Sequence, residues 1–306
     1  MYRYKKLMVA LNLDDNDTML IQYAGFVSKM ANSSDIYFVH VSDSFDIPDE
    51  IKKIYPEIIS PVDKAAQSRM QAYVEKIFDG PENATLHYKA VEGSRLGTLV
   101  SYSQQYDIDL MVISHCTGDT PVKGCYSEKV ARKAFCSVMI IPPGTPAVRL
   151  DDILVSTDFS DHSQDSLDVG SAFAKAAGIA SIDVLNIFRV PRGYYKTGKD
   201  FDEFAELMRK NARAKSEQYV SYVDLKGVGV NPHFVLNDKV VEGIQEFADK
   251  KDTSLIVVGA RGRSGGIAAV LLGSVTEGLI RNLNRPLLAV KKKGEGLNIL
   301  EAMYPG

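Results

Sequence analysis

Short hydrophobic runs alternate with amphipathic segments along the whole chain. Residues 7–11 and 255–258 are continuously apolar, which is typical of strands buried on both faces of a parallel sheet. Residues 18–30 and 163–176 instead carry apolar side chains at helical spacing. Strands that alternate with helices predict an α/β fold, in which a doubly wound parallel sheet is covered by helices on both faces.

The same order of segments occurs twice. The first half has predicted strands at 6–12, 36–41, 85–91, 110–113 and 137–141. The second half repeats them at 152–158, 182–187, 231–236, 255–258 and 286–290, and long polar helices are predicted at 61–78 and 202–223. This predicts two tandem Rossmann-like, five-stranded domains, 1–145 and 146–293, followed by a tail at 294–306. The closing strands would be exposed edges in isolated domains, so we expect the halves to pack as a pseudo-dimer.

Composition narrows the class of protein. The 306 residues carry a net charge of −3, which argues against a general nucleic-acid binder. No apolar run approaches the roughly 18 residues that span a bilayer, and the first run lacks a cleavage site, so the cytoplasm is the expected compartment. The three cysteines, Cys116, Cys125 and Cys136, fit neither a full disulfide framework nor a metal-ligand spacing, and we interpret them as small buried hydrophobic residues.

A glycine-rich loop follows the fourth strand of the second half. The loop reads Gly-Ala-Arg-Gly-Arg-Ser-Gly-Gly over residues 259–266, and residues 273–277 read Gly-Ser-Val-Thr-Glu. A strand, a glycine-rich loop and a helix start place backbone N–H groups where they can hold a phosphate. Glycine allows this approach because it has no Cβ. The hydroxyls of Ser274 and Thr276 and the charges of Arg261 and Arg263 are further candidates, although both arginines could equally be solvated surface residues.

With these motifs, the second half resembles the universal stress protein family over nearly its whole length. Residues 153–160 resemble the opening strand of the family and its nucleotide-facing Asp158, and residues 257–262 and 273–277 resemble its phosphate motif. Ten residues separate Gly262 from Gly273, where the family motif has nine. The double occurrence of the unit resembles the tandem members of the family.

The resemblance implies an adenine nucleotide site in the second half. Asp158 and the backbone of Ile187 would lie near the base, and Val258 and Gly259 near the ribose and α-phosphate. The complete implied set is Ser156, Thr157, Asp158, Ile187, Val258, Gly259, Arg261, Gly262, Gly273, Ser274, Val275 and Thr276. The implied ligand is ATP or AMP, and an accompanying Mg²⁺ is left open. From its position alone, Asp158 could instead cap the following helix.

The first half departs from this pattern. Asn12 stands at the position of Asp158, and Cys125 at that of Ser274. Ser114 and Thr117 replace the two loop glycines, and only six residues separate Thr117 from Gly124. We therefore expect one working nucleotide site per chain. The acidic run at 14–17 could suggest a metal site, but capping of the following helix is the better interpretation.

Three classes of function remain open. The leading hypothesis is a stress-response protein that binds ATP or AMP for signalling or protection, with at most slow hydrolysis, because the chain has no Walker lysine motif. An adenylating ligase is disfavoured, since residues 157–161 lack a Ser-Gly-Gly-type motif. The third is an adaptor or metabolite binder with a vestigial nucleotide site. Expected partners are an adenine nucleotide, unidentified proteins and a second copy of the chain, with no nucleic acid and no membrane.

Overall fold

The computed structural model describes residues 3–42, 54, 62–115, 125–261 and 272–292. The chain divides into two compact units, Met1–Val148 and Arg149–Gly306. The tail expected at 294–306 lies outside the described residues. Among the helices that the structure describes, none is long and apolar enough to cross a membrane.

The first unit is a parallel sheet in the order β3-β2-β1-β4-β5. Its elements are β1 (Lys6–Leu11), α1 (Asp17–Ala31), β2 (Asp35–Ser42), α2 (Val62–Ile77), β3 (Thr85–Glu92), α3 (Arg95–Gln105), β4 (Leu110–Ser114), α4 (Tyr126–Lys133) and β5 (Ser137–Ile141). All residues of β4 and β5 are buried, as their continuous hydrophobic runs predict.

The second unit repeats this plan as a parallel sheet in the order β10-β9-β6-β7-β8. Its elements are β6 (Ile153–Ser156), α5 (Asp161–Ala177), β7 (Ser181–Phe188), a short 3-10 helix (Tyr194–Thr197), α6 (Phe201–Ser221), β8 (Gly229–Leu236), α7 (Val240–Lys251), β9 (Leu255–Gly259), α8 (Ser274–Arg281) and β10 (Leu287–Val290). The predicted α/β fold is confirmed in both halves.

Helices pack on the sheet of each unit, and some of them also pack against each other. In the first unit α1 packs against α2 and α3 against α4, and in the second unit α7 packs against α8. In the second unit α5 lies on β6 and β9, where Gly170 permits a close approach. A Cβ added at Gly170 would lie 2.6 Å from Cγ2 of Val155. The apolar faces of helices and strands therefore form the core of each unit, as in other doubly wound folds.

Two strand ends differ from the sequence prediction by two residues, and the other strand ends agree within one residue. The first strand of the second half ends at Ser156 instead of residue 158. The carbonyl of Thr157 accepts a hydrogen bond of 2.9 Å from the side-chain amide of Asn186, which replaces a backbone partner and ends the ladder. The third strand begins at Gly229, two residues early, because Gly229 and Val230 still pair with β7. The packing of the two halves as a pseudo-dimer stays a prediction.

Candidate functional site

A crevice opens at the carboxyl ends of β6 and β9 in the second unit. The two strands are neighbours, with Ser156 opposite Val258. After β6 the chain continues through α5 to β7 on one side, whereas after β9 it continues through α8 to β10 on the other. This divergence is the topological switch point at which open α/β sheets bind ligands.

The crevice contains a cavity of about 260 Å³, near the lower end of the volumes typical of small-molecule sites. The structure brings together every predicted site residue except Gly262 and Arg263, which lie outside the described residues. Sequence reasoning missed Ser163 and Val240. The lining residues are Ser156, Thr157, Asp158, Ser163, Ile187, Val240, Val258, Gly259, Arg261, Gly273, Ser274, Val275 and Thr276.

The turn between β6 and α5 forms one wall of the cavity. Its backbone is shaped by Phe159, which has a φ of 60°, in the left-handed region that is unusual for a residue with a Cβ. The N–H of Phe159 donates to Oγ1 of Thr157 at 2.9 Å, and the N–H of Ser160 donates to Oδ1 of Asp158 at 3.0 Å. Ser160, not Asp158, is the N-cap residue of α5. The half-buried Asp158 carboxylate thus orders the turn and also lines the cavity.

Hydrogen bonds from buried polar side chains stabilise this turn. Oγ of Ser163 lies 2.9 Å from Oγ1 of Thr157 and donates to the carbonyl of Ser160 at 2.7 Å. The phenol of Tyr219, on α6, donates to the carbonyl of Ser163, and its ring lies 5.5 Å from that of Phe159. Burial raises the pKa of Tyr219 to about 12. The phenol therefore stays protonated at neutral pH and remains a donor.

The start of α8 forms the opposite wall. The N–H of Gly273 donates to the carbonyl of Ala260 at 2.8 Å, so this group is used within the protein and not offered to a ligand. The N–H groups of Ser274, Val275 and Thr276 belong to the first turn, where an α-helix leaves them without intrahelical acceptors. The hydroxyl of the buried Thr276 donates to the carbonyl of Gly259 at 2.8 Å, which ties α8 to the end of β9.

The exposed Ser274 hydroxyl and the half-buried Arg261 complete this wall. The cavity therefore has a carboxylate at one side and a helix N-terminus with an arginine at the other. A helix N-terminus and a guanidinium both favour an anionic group. Apolar side chains of Ile187, Val240 and Val258 also line the cavity. This is the arrangement expected for a ligand that joins a planar polar group to a phosphate.

In the described part of the first unit, the side chain of Arg95 lies at the equivalent edge of the sheet. Arg95 begins α3 as Val240 begins α7, and its guanidinium donates to Oδ1 of Asn12. The same guanidinium lies 4.9 Å from the ring centre of Tyr126, the residue that matches Val275. The sequence comparison identified Asn12 as the counterpart of Asp158 but did not find Arg95, because its approach to β1 depends on the fold.

The start of α4 also differs from that of α8. Oγ of Ser127, which matches Thr276, lies 2.8 Å from Nδ1 of the buried His115 and 3.3 Å from Sγ of Cys125. Burial lowers the pKa of His115, which favours its neutral form. Cys125 is half-buried and Cys136 is buried, both as free thiols, and Cys116 lies outside the described residues.

The acidic run in the first unit does not act as a simple helix cap. Asn16 is the N-cap residue of α1, and its side chain makes no capping hydrogen bond. The carboxylate of the buried Asp17 instead accepts from the N–H groups of Asn12, at 3.0 Å, and Leu13, at 2.6 Å. Burial raises the pKa of Asp17 despite these bonds. Asp17 therefore orders the turn that Thr157 and Asp158 order in the second unit.

The fold and the site together define a tandem doubly wound α/β protein with a ligand-sized crevice at the switch point of its second unit. The model of the universal stress protein family matches the chain twice, over residues 3–142 and 150–291. The chain therefore belongs to the universal stress protein family and has two domains of that family in tandem.

Several relatives agree with this assignment. Universal stress protein MJ0577 of Methanocaldococcus jannaschii is 27% identical over 164 residues, which cover 48% of this chain and 98% of that protein. Universal stress protein MJ0531 of the same organism is 29% identical over 145 residues, 46% of this chain and 81% of that protein. The crystal structure of a universal stress protein from Archaeoglobus fulgidus matches 95% of this chain and 97% of its own, with a TM-score of 0.62 and 16% identity, and so supports the fold alone.

Proposed function

We propose that the second unit binds an adenine nucleotide, ATP or AMP, and that the chain acts in the stress response as a binding and signalling protein. The observation that carries the proposal is the cavity at the β6–β9 switch point, which is closed on one side by the first turn of α8. The general position of ligands in open α/β sheets and the resemblance of residues 257–262 and 273–277 to a phosphate motif support it.

The phosphates would lie against the start of α8. The N–H groups of Ser274, Val275 and Thr276 and the Ser274 hydroxyl are the donors of this wall. The Thr276 hydroxyl has a different part in the proposal, because it already donates to Gly259. It would position α8 and keep Gly259 near the α-phosphate.

The base would lie toward the turn after β6. A carboxylate oxygen of Asp158 can accept a hydrogen bond from the amino group of adenine, whereas guanine presents a carbonyl oxygen at the same ring position. The apolar side chains of Ile187, Val240 and Val258 would contact the base and ribose. We therefore expect adenine nucleotides to be preferred over guanine nucleotides.

The contacts of Arg95 in the first unit support one site per chain. Arg95 contacts both Asn12 and Tyr126 there, and each of these matches a residue that lines the cavity of the second unit. The first unit would then contribute a folded domain without bound nucleotide. Binding instead of fast catalysis is supported by the absence of a Walker lysine motif from the sequence.

The direct experiment measures which small molecules the purified protein carries and how many it binds. Heat-denatured protein should release AMP or ATP on chromatography. Calorimetric titration of nucleotide-free protein with ATP and with AMP, in Mg²⁺ or in EDTA, should give one site per chain. Saturation at a hundredfold excess over Kd should stabilise the protein by about 2.7 kcal/mol. Two equivalent sites would contradict the asymmetry, and no binding in any arm would favour a vestigial site.

A further inference from the structure

The segment between β7 and α6 carries a group of aromatic and aliphatic side chains on the surface of the second unit. We refer to Tyr194, Tyr195, Phe201, Phe204 and Leu207 as the aromatic patch. Tyr195 is 67% exposed, and Phe201 and Leu207 are each 45% exposed. Clusters of exposed apolar side chains are common where a protein binds a partner.

Ring contacts hold the aromatic patch together. The ring of Tyr194 lies 6.1 Å from that of Tyr195, 5.6 Å from that of Phe201 and 6.3 Å from that of Phe204. Tyr194 belongs to the short 3-10 helix, whereas Phe201 and Phe204 lie in the first turn of α6. The two elements thus present one preformed surface, which lowers the entropy lost on binding.

Charges of both signs lie close to the aromatic patch along the chain. Residues 189–199 contain four cationic side chains and no acidic one, and all four are exposed: Arg189, Arg192, Lys196 and Lys199. None of them forms an ion pair with a residue that the structure describes. Asp202 and Glu203, at the start of α6, are also exposed and without an ion pair within the described part of the chain. Glu206, one turn later, pairs with Arg209 on its own helix.

We propose that the aromatic patch is the contact surface between two copies of this chain. In a two-fold symmetric contact the same surface of each copy meets itself. Rotation by the two-fold axis would place the cations of one copy opposite Asp202 and Glu203 of the other, with the rings at the centre. A centre rich in Tyr and Phe within a charged rim is the usual organisation of protein interfaces.

The occupant is identified by this self-complementarity. An acidic partner would satisfy the four cations but would be repelled by Asp202 and Glu203. A basic partner would pair with Asp202 and Glu203 but would be repelled by the four cations. A second copy satisfies both sets at once, and the net charge of −3 leaves little overall repulsion between two chains.

Analytical ultracentrifugation of the full chain over a range of concentrations tests the apolar centre. The wild-type chain should dimerise, and the double variant Tyr195→Ser/Phe201→Ser should raise the dimer Kd by about tenfold or more, because central aromatic side chains dominate interface energies. Tyr222→Ser is the matched control: Tyr222 is 64% exposed but follows the other end of α6. It should leave the Kd unchanged, and circular dichroism should show that both variants are folded like the wild type.

Charge reversal tests the symmetry. Lys196→Glu/Lys199→Glu and Asp202→Lys/Glu203→Lys should each weaken self-association, because like charges would then face each other. An equimolar mixture of these two variants should restore the dimer as a heterodimer, since both of its charge contacts become attractive. Neither variant alters a residue that lines the cavity, so nucleotide binding should be unchanged.

Four results would overturn the proposal. They are a wild-type chain that is monomeric at all concentrations, a dimer that is insensitive to the aromatic variants, a mixture that fails to restore association, and a monomeric chain that instead binds a polyglutamate peptide. The last would identify an acidic partner in place of a second copy.

Discussion

The guanidinium of Arg95 donates a hydrogen bond to the side chain of Asn12 across the carboxyl edge of the first sheet. In the second sheet the matching residues are Val240 and Asp158, and both line the cavity. The start of α3 thus carries an arginine that contacts the residue after the first strand, whereas the start of α7 carries a valine that lines the cavity. This difference suggests an experiment in which the residue of each half is replaced by its counterpart in the other half.

Val240→Arg should abolish or strongly weaken nucleotide binding. The new guanidinium can reach the Asp158 carboxylate and would occupy the cavity with the contact that the first unit already makes. We expect a loss of at least about tenfold in affinity for ATP and AMP by calorimetric titration, since one good hydrogen bond to a charged group is worth about 1.5–3 kcal/mol.

The control for this exchange is Arg95→Val. It removes the hydrogen bond to Asn12 and the contact with the Tyr126 ring, so the free energy of unfolding should fall by about 1–2 kcal/mol. Nucleotide affinity should stay at the wild-type value, because the second unit is unchanged. A loss of nucleotide affinity in Arg95→Val would show that the first unit takes part in binding.

Asp158→Ala should weaken adenine nucleotide binding by about 1–3 kcal/mol and narrow the preference for ATP over GTP. The substitution also removes the acceptor for the N–H of Ser160, so Asp158→Asn is needed to separate the two roles. The asparagine carbonyl can still accept from Ser160, while its amide would present a donor to the base. We therefore expect Asp158→Asn to keep the turn but to shift preference toward GTP.

Competition titrations of the two Asp158 variants with ATP and GTP provide the measurement. Asp161→Ala, an exposed position in the first turn of α5, is the control and should bind as the wild type does. If ATP and GTP bind to Asp158→Asn with the wild-type preference, the carboxylate only orders the turn.

The order of strands and helices could be predicted from the sequence, because each buried strand is a short apolar run and each helix carries apolar side chains at helical spacing. It was less precise where polar side chains compete with the backbone. Asn186 ends β6 before Asp158 by taking the carbonyl of Thr157. The helix α5 begins at Asp161, two residues before the predicted Ser163, and its N-cap Ser160 has an extended backbone with φ −82° and ψ 160°.

The site residues near the glycine motif and at the strand ends could be predicted from the sequence alone. Val240 could have been found, since it follows β8 and lies at the same edge of the sheet. Ser163 and Arg95 could not, because their parts depend on how α5 and α3 lie against the turn after the first strand. The role of Thr276 also depends on the fold, since its hydroxyl donates to the carbonyl of Gly259.

Gly273→Val should remove nucleotide binding without unfolding the protein. Gly273 has φ −65° and ψ 141°, which is ordinary extended backbone, so a side chain brings no backbone strain. The branched Cβ would instead take space in the cavity that we assign to phosphate. The expected result is loss of ATP binding in calorimetry while the ligand-free protein stays folded, with a slightly lower melting temperature because valine is a poorer N-cap residue than glycine.

Two variants accompany Gly273→Val. Ser274→Ala removes one hydroxyl and no space, so its loss of affinity should be smaller, about 0.5–1.5 kcal/mol. Gly124, the matching glycine of the first half, lies outside the described residues, and Gly124→Val should leave affinity unaltered. Equal losses in Gly273→Val and Gly124→Val would mean that both halves bind nucleotide.

The stability of the second unit should decrease above pH 10 through Tyr219. Burial raises the pKa of this phenol to about 12, whereas an unfolded tyrosine has a pKa near 10. Between these values the folded chain keeps a proton that the unfolded chain releases, so stability falls as pH rises, by about 1.4 kcal/mol per pH unit for each such group. Burial also raises the pKa of Tyr4 to about 12, so the first unit should show the same trend.

Tyr219→Phe isolates the contribution of the second unit. At pH 7 it should lower the free energy of unfolding by about 1 kcal/mol, because the carbonyl of Ser163 loses its donor. Above pH 10 the difference from wild type should shrink and then reverse, since phenylalanine has no proton to lose. Urea unfolding from pH 7 to pH 11.5 measures both effects, with Tyr222→Phe as the exposed control. Stability curves of wild type and Tyr219→Phe that stay parallel above pH 10 would mean that the phenol ionises in the folded protein as easily as in water.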